Sequence, residues 1–180
     1  MYKYLLSIPL ILFPYLLLFL LYCLITGFLM EELFRNNGFL LIAVLVAGGF
    51  VSFVCTVALC VSAVVKNQDS FAMARLNMVV KLVHVPAYIA IFVLSLIFSI
   101  TVFGIGFVIV FALSDAFSIL MSGLIGAVSA TLARRQQAGL PDWIAYAVLQ
   151  FIYCVDVVSC VVMYCKIKKF KLHQKTSVLI

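Results

Sequence analysis

From Pro86 to Ala133 the chain carries a single charged residue, Asp115. Roughly 48 residues would reach about 72 Å as one helix at 1.5 Å per residue, far beyond the thickness of a bilayer's hydrocarbon core. A water-soluble fold of 180 residues has too much surface for its volume to hide such a run. The rest of the chain is of the same kind: 67% of residues are hydrophobic and 10% are charged, against about 45–50% and about 25% in a soluble domain. The expected solution is an all-α, polytopic transmembrane helix bundle forming one membrane domain over residues 1–180, with lipid as the solvent of its outer face.

Length and breaker residues divide the chain into about five spans, near 5–30, 39–65, 86–103, 107–132 and 143–165. The first is too long for a signal-peptide core, and no A-x-A site follows it, so it reads as an uncleaved span loosened by Pro9 and Pro14. Asn36-Asn37-Gly38 is a turn signal. In the second span Gly48, Ser52, Thr56 and Cys60 recur every fourth residue, a small-residue stripe that lets another helix approach closely. Asp69 or Ser70 can cap the segment 70–84. There Phe71, Ala74, Met78 and Leu82 share one face, while Asn77, Lys81 and His84 share another that Tyr88 extends. The pattern predicts an amphipathic helix at the interface, leading through Pro86 into the third span. Gly104-Ile105-Gly106 breaks the long apolar run, and Ser122, Gly126 and Ala130 form a second small-residue stripe in the fourth span. Gly139 and Pro141 end that span, Asp142 can cap the last, and Trp143, Tyr146 and Tyr164 suit the aromatic belts.

Net charge is +6. The basic residues gather where apolar runs end, as headgroup contacts do, and not in a patch that a nucleic acid would need. The tail 166–180 carries Lys166, Lys168, Lys169, Lys171 and Lys175, which are read as ligands of anionic lipid headgroups. With five spans the two sides of the membrane tie, because Lys3, Lys66, Arg75, Lys81, Arg134 and Arg135 oppose Arg35 and the five tail lysines. A single crossing over 86–133 with a re-entrant piece would bring the tail to the N-terminal side and favour that side. Length argues for the odd number, since apolar residues left uninserted cost more than a weak charge bias. The dense lysines argue for a cytosolic tail.

Asp156 is the residue most suited to function. In an unbroken last span it lies near the midplane, where an aspartate costs about 2.5–3.5 kcal/mol, so it needs a partner or a proton. Gln150, Tyr153 and Cys160 extend its polar stripe. Asp115 is the second intramembrane acid, flanked by Ser114 and Ser118. The stripe Asn77, Lys81, His84 is the natural counterpart, through a Lys81–Asp115 or His84–Asp156 pair. The plainer expectation is that Lys81 snorkels to headgroups and His84 stays at the interface. For Asp156 the two readings are a proton or cation relay and a buried hydrogen bond that locks helices together.

Enzyme patterns are missing: no HExxH, no GxSxG and no phosphate loop. The six cysteines form no CxxC pair and read as packing residues, so no metal or cofactor is expected. The sequence therefore implies a non-enzymatic membrane component that binds a membrane partner or a second copy of itself. A small transporter or channel built on Asp156 is the alternative.

The stretches Asn77-Met78-Val79-Val80-Lys81-Leu82-Val83-His84-Val85-Pro86-Ala87-Tyr88 and Leu149-Gln150-Phe151-Ile152-Tyr153-Cys154-Val155-Asp156 resemble segments of a family of small multispanning membrane proteins from Gram-positive bacteria. The resemblance implies a bacterial plasma membrane and the same arrangement of spans from about residue 71 onward. It brings no activity with it.

Overall fold

The computed structural model describes residues 2–101, 104–138 and 140–177, and its regular structure is helical throughout. The order is α1 (Tyr2–Thr26), α2 (Phe28–Phe34), α3 (Gly38–Val65), α4 (Ser70–Ser99), α5 (Gly104–Arg135), α6 (Trp143–Leu149) and α7 (Val155–Ser177). Among the described residues four helices, α1, α3, α4 and α5, are long and apolar enough to cross a membrane. Gly139 and the terminal Val178-Leu179-Ile180 lie outside the described residues.

Local chemistry sets the boundaries. Asn37, in the predicted turn, accepts from the backbone N–H of Phe39 and Leu40 and caps α3. Asp69 accepts from Phe71 N–H and caps α4. Gly104 opens α5, so the glycine step does break the long apolar run.

The four long helices run alternately up and down. At one end Leu10 of α1 packs with Leu59 and Ala63 of α3, Met73 of α4 and Leu132 of α5. At the other, Leu21 packs with Leu45, Phe98, Phe107 and Phe111. The α3 stripe makes the seam with α1. A Cβ on Gly48 would stand 2.5 Å from Leu16, and Ser52 Oγ donates to the Pro9 carbonyl at 2.9 Å. Outward-facing side chains are apolar along the whole length, as at Phe50, Val61, Ile89, Ile97 and Leu113.

Two expectations need correction. The interfacial helix 70–84 is not a separate element, because α4 runs without interruption from Ser70 to Ser99 through Pro86. Its amphipathicity is turned inward: Asn77, Lys81 and His84 are buried, while Val79, Leu82 and Val83 face out. The polar stripe finds partners inside the bundle, so it has no need of headgroups. Lys81 accordingly does not snorkel; it is 1% exposed.

The expected fifth span, 143–165, is likewise not one helix. It stops after Leu149 and restarts at Val155, and Cys154 between them takes a left-handed φ of 65°. The α5 stripe is the seat of this turn. A Cβ on Gly126 would lie 2.5 Å from Gln150 Oε1, and one on Gly123 would lie 2.7 Å from the Phe151 ring. Both arms return to the same end of the bundle. Arg134 stacks 4.8 Å over Trp143 at the start of α6, and Lys166 of α7 lies 5.1 Å from the Tyr146 ring. Further along α7, Tyr164 stacks on Phe71 at 5.4 Å, and Lys171 pairs with Asp69 at 2.7 Å. The segment enters as α6 and leaves as α7 on one side.

Candidate functional site

Where the α6–α7 turn meets α4, the polar residues of both segments close on one another. Lys81 Nζ donates to Asp156 Oδ2 at 2.6 Å and to the Gln150 carbonyl at 3.1 Å. In a continuous helix that carbonyl would accept from Cys154 N–H. The break releases it for a charged donor, which is a physical reason for the turn to form here. Asn77 Nδ2 donates to Gln150 Oε1 and to Cys160 Sγ, each at 3.1 Å, and Gln150 Nε2 donates to Ser159 Oγ at 3.3 Å. Lys81, Asp156, Asn77, Gln150, Cys160 and Ser159 are all buried. Asn77 Oδ1 is buried without a hydrogen-bond partner among the described residues.

His84 lies one turn further along α4 and does a different task. Pro14 has no N–H, so the Leu10 carbonyl four residues earlier lacks its helical donor. His84 Nε2 stands 3.1 Å from that oxygen. A carbonyl only accepts, so Nε2 carries the hydrogen, and in the neutral ring Nδ1 is then free to accept from the Tyr88 hydroxyl at 3.3 Å. Tyr15 of α1 donates to the Val83 carbonyl at 2.5 Å beside Pro86. Pro14 in α1 thus opens a backbone acceptor that α4 fills, which is one way proline is accommodated in apolar surroundings.

Of the residues singled out from sequence, Asn77, Lys81, Gln150, Asp156 and Cys160 come together, and His84 adjoins them. The pairing differs from both expected pairs: Lys81 takes Asp156, and His84 takes Leu10 and Tyr88. Asp156 belongs to the first turn of α7, not to the middle of a span. Tyr153, 46% exposed, stands outside the polar cluster and faces Tyr88 at 6.2 Å between ring centroids. Asp115 is also separate, on α5, at a cleft shared with Tyr153 and Phe151. Ser159 was missed, and a lone serine in an apolar run carries no signal. The Leu10 carbonyl was legible in principle, four residues before Pro14.

Chemically the cluster is a buried ion pair whose neighbours are hydrogen-bonded to it and to one another, apart from Asn77 Oδ1. The cysteines among the described residues are free thiols. No group of three or more His, Cys, Asp or Glu that could hold a metal ion occurs among the described residues. Comparison of the chain with protein-family models, with curated proteins and with solved structures finds no match.

Proposed function

We propose that the chain is a multi-pass component of a cell membrane, bacterial if the resemblance is followed, that works by binding and not by catalysis: an accessory subunit docked to a membrane partner. Charge polarity is the observation that supports it. With α6 and α7 folded back on one side, every Lys and Arg except Arg35 and the buried Lys81 belongs to one end of the bundle. Only Asp69 and Asp142 offset them there, while Glu31 and Glu32 stand with Arg35 at the other end. The tie drawn from five crossings disappears. The positive-inside rule then assigns the basic end, with the tail, to the cytosol. Such an end attracts anionic headgroups and suits an acidic docking surface on a partner.

The test is purification from native membranes in mild detergent, of wild type and of a variant with Lys166, Lys168, Lys169 and Lys171 changed to Gln. A stoichiometric companion protein lost in the variant is the expected result. Anionic lipid alone, lost in the variant, would reduce the basic end to an anchor and sink the accessory reading.

A second reading, a small transporter with Asp156 as a proton or cation site, is favoured by the unwound turn beside that acid. Broken helices at depth supply binding sites in transporters. Proton or cation flux in liposomes that Asp156→Asn abolishes, with the fold retained, would establish it. The sealed Lys81–Asp156 pair weighs toward the first reading.

A further inference from the structure

Asp115, unlike Asp156, has no cation paired with it among the described residues. It lines a cleft of about 550 Å³ between α4, α5 and the α6–α7 turn, walled by Phe92, Ile119, Leu120, Phe151 and Tyr153. The volume lies within the range of about 300–1,000 Å³ common for small-molecule sites. The cleft opens sideways, past exposed Phe92 and Leu120, toward the surface that hydrocarbon would cover. Asp115 Oδ1 is buried and has no hydrogen-bond partner among the described residues. Lys81, the cation inside the bundle, is committed to Asp156.

An ionised carboxylate alone in apolar surroundings is unstable until a counter-charge or a proton reaches it. The chemistry of the walls selects among counter-charges. A hard inorganic cation needs several oxygen ligands. This cleft offers one carboxylate, the Tyr153 hydroxyl and Ser95, whose hydroxyl already donates to the Ile91 carbonyl at 2.8 Å. An organic cation needs fewer oxygens. Its apolar substituents fill the cleft, and the faces of Phe92, Phe151 and Tyr153 attract its charge.

We propose that the Asp115 cleft binds a lipophilic organic cation, of the quaternary ammonium, amine or phosphonium class, with Asp115 as its counter-ion and entry from the membrane side. The inference stands apart from the accessory reading, since it concerns the middle of the bundle and not its basic end.

Equilibrium dialysis of tetraphenylphosphonium against the purified full chain in detergent tests it. Wild type is expected to bind one equivalent, and Asp115→Asn, equally helical and monodisperse, to bind at least tenfold more weakly. Tetraphenylsilane, the neutral isostere, is expected not to compete. Binding by Asp115→Asn within twofold of wild type, or full competition by the silane, would overturn the proposal and leave only an apolar crevice. Absence of saturable binding by wild type would overturn it as well. Should Asp115→Asn fail to fold, Ala116→Trp decides, because it fills the cleft and keeps the carboxylate: lost binding supports the site, and unchanged binding refutes it.

Discussion

Two aspartates in apolar helices meet opposite fates in this molecule. Asp156 is 2% exposed and paired at 2.6 Å with a lysine that is itself 1% exposed. Asp115 lines an open cleft with one oxygen unpartnered. Residue type and apolar sequence context are alike, so neither decides the role. Topology does: the α6–α7 turn lands Asp156 against Lys81, the one buried cation among the described residues, and leaves Asp115 across the cleft from aromatic rings. The sealed acid is suited to hold helices together, and the open one to receive something from outside.

Removing one partner of the sealed pair should be the most damaging change. Asp156→Leu leaves Lys81 charged and buried, and the expected loss is about 3–5 kcal/mol of unfolding free energy. Reversible unfolding in mixed micelles measures it. The double variant Lys81→Met with Asp156→Leu should recover most of that loss, since a packed apolar pair can replace a buried ion pair. A double variant as unstable as the single one would break the view that the pair is a structural lock. The Lys81 bond to the Gln150 carbonyl would then carry the weight.

His84 gives the next effect. His84→Phe strands the Leu10 carbonyl and should cost about 1–3 kcal/mol. The cost should shrink in a Pro14→Ala background, where the Ala N–H can serve that carbonyl. A cycle with no coupling between positions 14 and 84 would show that the histidine does not act through the proline gap.

Gly126→Ala probes the seat of the turn. The added Cβ meets Gln150 at 2.5 Å, and about 1–2 kcal/mol of overpacking is expected, read by the same unfolding assay. Asp115→Asn should be the mildest, within about 0.5 kcal/mol of wild type, because no partner is lost. A large effect there would erase the contrast between the two acids.

Much of the architecture was legible along the chain. The Gly104 break, the turn at Asn36-Asn37-Gly38, the Asp69 cap and the two small-residue stripes depend on neighbours a few residues away, and each stands where local chemistry indicates. Four of the candidate site residues, Asn77, Lys81, Gln150 and Asp156, could be picked out because a polar group in an apolar run is costly wherever it sits. Their pairing could not. Lys81 is 75 residues from Asp156, and no periodicity relates them. Hydropathy also reads 143–165 as one span, since every residue in it but Asp156 is uncharged.

What the sequence by itself determined is therefore the solvent the chain requires, the breaks between its long helices and the small set of polar residues that must find partners. Those follow from transfer free energies and backbone geometry, which are local. Tertiary structure alone decided that α4 continues through Pro86 with its polar stripe inward, that the last segment turns back at Gln150, and which acid is sealed. These outcomes rest on a competition among distant donors for a few buried acceptors, and it is resolved only when the helices pack.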